Sequence, residues 1–440
     1  MTLHERTPQG LTRRGLLSLA LAGAGAAALA GCAPRPTARG TATVRVWDPF
    51  QGADGARMQA MQASVMEAER DIRIESVTLA WGAAYYTKLA MASAGGRAPE
   101  AAVMHLSRLA GYAPGGLLEP FDLDRLADLG IRQQDFAPAV WERATFEGRL
   151  YALPLDTHPF LTFYDPAIAD PAGILDADGG LGGITSPDAF LDAGRRLAEV
   201  TGDTGIAFGY LLDTAQAWRF FWGLYNQTGG GSSFVPGRRA ELDEAKAAEV
   251  IEFLQQMMDG TVAAQRLDYS GGIASFVTGR SGMIVSGEWE LPAFQEAIPD
   301  VAGRPLPTLF GTPANYADSH AFVLPRQIRR DPAVTDATYR TLAAILKGAQ
   351  VWAEAGHIPA YTPVTQTAEY QALTPQRDYA AASEIIVLDP PAWFVGAGSD
   401  FQARMSDPLS SALQGRQDAR TTVQSMLRAA DVFLTQPEPA

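Results

Sequence analysis

The chain has 440 residues, of which 47% are hydrophobic and 19% charged, with a formal net charge of -14. That length exceeds one ordinary domain, and that balance is too apolar for disorder to describe the whole. With 35 basic against 49 acidic residues, the chain repels phosphate backbones and anionic lipid surfaces, which argues against nucleic-acid binding.

At the N-terminus, Arg13 and Arg14 precede an apolar run, Gly15 to Gly31, that ends in Leu29-Ala30-Gly31-Cys32. A positive segment, a short apolar stretch and small residues before a cleavage point make the layout of a signal peptide, residues 1–31. A membrane-spanning helix normally needs about 20 consecutive apolar residues; this run is shorter and leads into Pro34 and Pro36. The sequence LAGC resembles the lipobox of bacterial lipoproteins, which implies cleavage before Cys32 and a diacylglycerol on its sulfur. Thr12 to Leu17 also looks like a twin-arginine export signal. Cys32 is the only cysteine, so the sequence excludes both a disulfide and a catalytic thiol. Residues 32–40, rich in Pro, Arg and Thr, read as a lipid-anchored linker.

Folded periodicity starts at Thr43. Val44 and Val46 alternate with Arg45 into Trp47 as a strand, and Met58, Met61, Val65 and Ala68 recur at helical spacing. Ile72 to Val77 alternates again, so strand, helix and strand make the unit of a parallel sheet. Ala101 to Met104 reads as a third, buried strand. Ser186-Pro187 predicts a helix N-terminus, with Phe190, Leu191 and Leu197 on the buried face. Gly229-Gly230-Gly231-Ser232 reads as a loop. Val423, Met426, Leu427, Ala430, Phe433 and Leu434 mark one face of a final amphipathic helix.

Five blocks, in order, carry a resemblance. They are Val44-Arg45-Val46-Trp47-Asp48; Ser93 to Asp122, ending in a Gly-x-Leu-x-Pro-Phe-Asp turn; and Phe146 to Pro154 ("FEGRLYALP") running into Phe163-Tyr164-Asp165. Then come Ser275 to Met283 with Gly287-Glu288-Trp289, and Gly356-His357-Ile358-Pro359-Ala360 with the C-terminal helix. Together the chain resembles the extracellular solute-binding proteins of carbohydrate-uptake ABC transporters, the class that includes maltose- and glycerol-phosphate-binding proteins. The resemblance implies an α/β fold of the type II periplasmic-binding kind, two lobes with a ligand cleft between them. Lobe one is expected from 41–155 plus 310–356, and lobe two from 156–309 plus 357–440. It also implies capture of a sugar or polyol outside the membrane by a monomer, and delivery to permease subunits.

Sugars present C–H faces to flat aromatics and hydroxyls to planar polar groups. Trp47 and Asp48 close the first strand, where a core indole and a capping carboxylate are equally good readings. Trp81 stands on a loop beside Gly82. Trp289 follows a buried strand, and the resemblance implies that it stacks on sugar. By the same resemblance Trp218 lies near a stacking position, Trp222 in the core, and Trp393 near another stacking position; Trp141 and Trp352 read as helix-packing residues. His105, His158 and His320 each follow a strand-like segment or hinge, and the resemblance implies that they face the cleft. Asp156 and Arg108 are candidates for binding hydroxyls, with solvated loop positions as the alternative, and Tyr361 stands where many relatives carry Arg. No HExxH, His-rich loop or Cys cluster supports a metal, and no cofactor is expected. Two rival functions stand: binding of a glycerol phosphodiester, for which only Arg108 and Arg219 are candidate phosphate partners, and a secreted enzyme acting on polysaccharide, which needs only two carboxylates.

Overall fold

Strands begin where apolar alternation begins, and the computed structural model describes residues 40–437. The expected signal peptide, Cys32 and nearly all of the expected linker lie outside the described residues. The first lobe opens with β1 (Ala42–Asp48), α1 (Gly52–Ala68), β2 (Ile72–Thr78), α2 (Ala83–Ala94), β3 (Ala101–His105), β4 (Leu118–Glu119) and β5 (Ala152–Pro154). The chain crosses along β6 (Asp156–Tyr164) and continues through α3 (Pro187–Thr201), β7 (Ile206–Ala207), α4 (Gln216–Gln227), β8 (Met283–Gly287), β9 (Ala302–Pro305) and β10 (Asn315–Asp318). It returns in β11 (His320–Pro325) and α5 (Pro332–Lys347), then crosses again through β12 (Ile358–Pro359) to β13 (Ile386–Val387), α6 (Asp400–Leu413) and α7 (Ala419–Leu434).

In the first sheet the strand order is β2–β1–β3–β11–β4, with β5 beside β11. β1 pairs in parallel with β2 and β3, and β11 is antiparallel to β3. Only Ile72 and Ile74 of β2 are buried, as suits an edge strand with one covered face. α1 buries Met58, Met61 and Val65, while Ala68 is exposed at its end. The second sheet runs β13–β10–β6–β8–β7, with β9 and β12 also on β6. Its side chains alternate between two cores. Phe160, Tyr164, Met283 and Val285 enter the large second-lobe core, whereas Leu161, Phe163 and Ile284 enter a smaller one on the opposite face. A sheet covered on both faces accounts for the continuous apolar runs of β6 and β8.

Local signals placed the helices well. Ser186 Oγ accepts from the Ala189 amide at 3.2 Å and Pro187 occupies the first turn of α3. Asp418 caps α7, which buries Val423, Met426, Ala430 and Leu434. The glycine cluster after α4 is more ordered than a loop, because Ser232–Ser233 pairs antiparallel with Glu241–Leu242.

Three chain crossings meet at one level. His158 of β6 lies opposite Asp318 of β10, and the Leu155 amide donates to the His320 carbonyl at 2.7 Å. Thr157 and Asp156 pair with Ile358 and Pro359 of β12. The return crossing falls at Asp318–Ser319 and not at 310, because Leu306, Leu309 and Tyr316 still pack in the second-lobe core. Ala360, Tyr361 and Val364 pack in the first-lobe core, beyond the expected boundary at 357.

Trp218 departs from its expected place at a ligand face. It is fully buried, stacks on Trp222 with ring centroids 4.9 Å apart, and donates from Nε1 to Asp389 Oδ1 at 2.7 Å. Both indoles belong to the core on one face of α4. Trp218→Ala is therefore expected to cost about 3–5 kcal/mol of stability, measured by denaturant unfolding without any solute.

Candidate functional site

The residues at the crossings form a polar floor. Asp156 is fully buried and accepts four hydrogen bonds. His158 Nδ1 and the His320 amide reach Oδ1 at 3.1 and 2.8 Å, while His320 Nδ1 and Trp352 Nε1 reach Oδ2 at 2.8 and 2.7 Å. His105, the register partner of His320 across β3 and β11, has Nδ1 2.7 Å from the Tyr86 hydroxyl. The three imidazole centroids stand 4.2–5.2 Å apart, and one ring nitrogen from each lies within 4.8 Å of the others.

A fourth histidine lies behind them. His357 stacks on Trp352 at 4.3 Å, with Nε2 3.1 Å from Asp54 Oδ1 and Nδ1 3.2 Å from Asp156 and 3.0 Å from Glu288. Burial pulls its imidazole down, but Asp54, Asp156 and Glu288 outweigh that and hold it well above the ordinary histidine range. Burial pushes Glu288 up to about 8, despite His357 beside it. Burial would raise Asp156 too, yet the surrounding histidines hold it well below the usual carboxylate range. Burial holds His105 well below the ordinary range and takes His158 down to about 3. The floor thus combines a carboxylate, an imidazolium held in place by acids, and imidazoles kept neutral.

Above the floor is a cavity of about 290 Å³ lined by Phe50, Asp54, Trp81, His105, His158, Asp213, Arg219, Tyr269, Trp289 and His320, among others. Trp81 is 40% exposed. Trp289 is half-buried; its ring lies on Gly287, where a Cβ would come within 2.1 Å of it. Trp289 Nε1 donates to Tyr269 Oη at 2.7 Å, and the Arg219 guanidinium stands 5.1 Å over the ring. A larger cavity of about 620 Å³, lined by Arg143, Pro236 and Trp393, also lies between segments of the two lobes. The smaller one is the better candidate site, because the buried titratable groups converge there.

Five expected site residues therefore line one cavity: Trp81, His105, His158, Trp289 and His320. Asp156 stands behind the histidines as their partner, not as a cleft group. Trp47 is half-buried under Lys88, whose Nζ is 5.2 Å from the ring. Asp48 is buried and accepts from Ser76, Thr78 and the Phe50 amide, which is the capping role. Arg108 stacks 4.6 Å over Tyr86. Tyr361 is buried against Phe136 and donates to the Gly130 carbonyl at 3.2 Å, away from the cavity. Trp393 lines the larger cavity. Trp352 does more than pack its helix, since it donates to Asp156. Asp54, Asp213 and Tyr269 had no sequence signal, and His357 was visible only as part of a glycine–proline block. The absence of a metal motif concealed the approach of His105, His158 and His320.

The chain matches the family described as bacterial extracellular solute-binding protein over residues 52–334. Among solved structures it is similar to the GacH receptor of Streptomyces glaucescens, solved unliganded and with acarbose. The TM-score is 0.74 at 18% identity, covering 90% of this chain and 98% of that one. Maltose-bound MalE3 of T. maritima matches at TM-score 0.73 and 14% identity, over 89% of this chain and 99% of that one. UgpB from Mycobacterium tuberculosis, in complex with glycerophosphocholine, matches at 0.74 and 17%, over 90% and 99%. These likenesses establish a two-lobed α/β binding fold. No curated protein matches in sequence.

The raised Glu288 carboxyl makes a pH prediction. A group whose folded pKa lies above its unfolded value contributes stability at low pH that is lost as pH rises through the folded value. Wild-type stability is expected to fall between about pH 4.5 and pH 8 relative to Glu288→Gln. Unfolding free energies of the two proteins at pH 5, 7 and 9 check this; parallel curves would contradict it.

Proposed function

The chain belongs to the bacterial extracellular solute-binding protein family, and we propose that its solute is a carbohydrate or related polyol, delivered to an ABC importer. The observation that carries the reading is the cavity at the crossings, where two indoles, Trp81 and Trp289, share walls with imidazoles, carboxylates and a guanidinium. Indole faces suit sugar C–H surfaces, and the polar groups offer both donors and acceptors to hydroxyls. The fold neighbours that hold acarbose and maltose support this reading. Solute contacts to both lobes favour the closed state, which the permease recognises in a monomeric binding protein. The solute leaves chemically unchanged. Arg219 has no carboxylate partner within salt-bridge distance among the described residues, so anionic sugars and glycerophosphodiesters are the second class to screen.

A thermal-shift screen of sugars, polyols and glycerophosphodiesters identifies the solute by a dose-dependent rise in melting temperature. With that solute, Trp289→Ala is expected to weaken binding by about 2 kcal/mol, roughly 30-fold, with a smaller loss of stability. Normal binding with heavy destabilisation would make Trp289 a core residue. Release of a product, abolished by one carboxylate substitution, would establish an enzyme instead.

We also propose that Cys32 carries a lipid anchor after removal of residues 1–31. No helix of the described residues is long and apolar enough to cross a membrane. Palmitate labelling is expected on wild type and not on Cys32→Ser; an unlabelled wild type would overturn the anchor.

A further inference from the structure

Three imidazoles from distant parts of the chain converge at the base of the cavity: His105 at the end of β3, His158 in β6, and His320 at the start of β11. Each has its Nδ1 engaged by a protein group. His158 and His320 lean on the two oxygens of Asp156, at 3.1 and 2.8 Å, and His105 on Tyr86 Oη at 2.7 Å. Among the described residues, Nε2 in each ring has no hydrogen-bond partner. This is the arrangement that metal-ligating histidines adopt, with one nitrogen fixed by a carboxylate or hydroxyl so that the other presents its lone pair. When His105 ligates through Nε2, its Nδ1–H donates to the Tyr86 oxygen.

Distance shows that the three rings are close enough to share one ion, whichever ring nitrogen each presents. One nitrogen from each ring lies within 4.8 Å of the others. A tetrahedral zinc-type ion with bonds of about 2.0–2.1 Å sets its ligand nitrogens about 3.4 Å apart. Side-chain shifts of about 1 Å therefore close the set around an ion. A second group, Asp156, His320 and His357, also has atoms in reach, but its donors are occupied. Asp156 already accepts four N–H groups, and both His357 nitrogens stand against carboxylates. Charge is favourable as well, since Asp156 behind the rings and Asp54 and Asp213 on the walls outnumber Arg219 and the His357 imidazolium.

We propose that His105, His158 and His320 form a binding site for a divalent transition-metal ion of the zinc type at the floor of the cleft. Three neutral nitrogen ligands suit zinc, copper or nickel and not magnesium or calcium. Three protein ligands leave at least one coordination position open to the cavity, where water or a solute oxygen binds. The site does not rest on the identity of the solute.

The test titrates EDTA-treated full-length protein with zinc chloride in competition with a chromophoric chelator. One equivalent is expected to bind, cobalt(II) to give the visible bands of a tetrahedral site, and magnesium not to compete. His105→Gln and His158→Gln should each lose at least about 100-fold in zinc affinity. Tyr86→Phe keeps the ring and fold, and should lose about 10–100-fold as an orienting partner. No stoichiometric zinc binding by wild type overturns the site. So does unchanged zinc affinity in His105→Gln, which would move the ion to the Asp156, His320 and His357 group. If the histidine variants fail to fold, the wild-type cobalt spectrum and Tyr86→Phe decide. Solute titrations with and without EDTA run beside these. Sugar binding with no zinc uptake overturns the metal site alone, and zinc uptake with no sugar binding supports the metal site and counts only against the carbohydrate reading.

Discussion

The carboxylate of Asp156 is the point on which the two-lobed arrangement turns. A fully buried charge is costly to desolvate and persists only where hydrogen bonds satisfy it. Here four donors come from β6 itself, from the backbone and ring of His320, and from Trp352. Those donors sit on segments that carry the chain from one lobe to the other, or directly against them. Removing the carboxylate would leave several buried N–H groups without partners, the costly case for a polar network. The lobes are therefore joined by a shared electrostatic centre as well as by peptide bonds.

That centre also makes one cavity a better candidate than another. The larger cavity beside Trp393 has more volume, but its lining offers Arg143 and Glu142 among mostly apolar groups. At the crossings, strand ends from both sheets point their last side chains at the same space, as ligand sites in open α/β sheets generally do. His105 and Trp289 each follow this rule, one at the end of β3 and one just after β8.

The legible features in the sequence were those fixed by neighbours along the chain. β1, α1 and β2 follow from period and spacing, and the Ser186 and Asp418 caps need only residues within one turn. The place of Trp289 at a strand end on the cavity wall was legible because a buried strand and Gly287 precede it. Trp218 was not, since helical spacing puts it on one face with Trp222 without saying what that face meets. The answer, Asp389, comes 171 residues later. The histidine floor was illegible for the same reason. Nothing near His105, His158 or His320 in sequence announces the other two, and their meeting depends on the register of β3 with β11 and of β6 with β10. Tyr361 was misplaced because a family position suggested a cleft, while packing against Phe136 retains it in the first core.

The distribution of chemistry across the fold has a consequence for closure. Trp81 follows β2 in the first lobe, whereas Trp289 and Arg219 belong to the second. The walls of the cavity therefore ride on separate bodies. The floor does not, because Asp156 binds His158 and His320 together at the crossings themselves. A rotation of one lobe against the other about this region would change the distance between walls far more than the geometry of the floor. A solute that only touches the floor gains nothing from closure, since a ligand shifts an equilibrium only by its differential affinity for the two states. If the proposed solute binds in this cavity, contacts to Trp81 and Trp289 together are the ones that would distinguish open from closed. On the proposed reading, the floor would set what chemistry is recognised, and the aromatic walls how strongly recognition is converted into a closed protein.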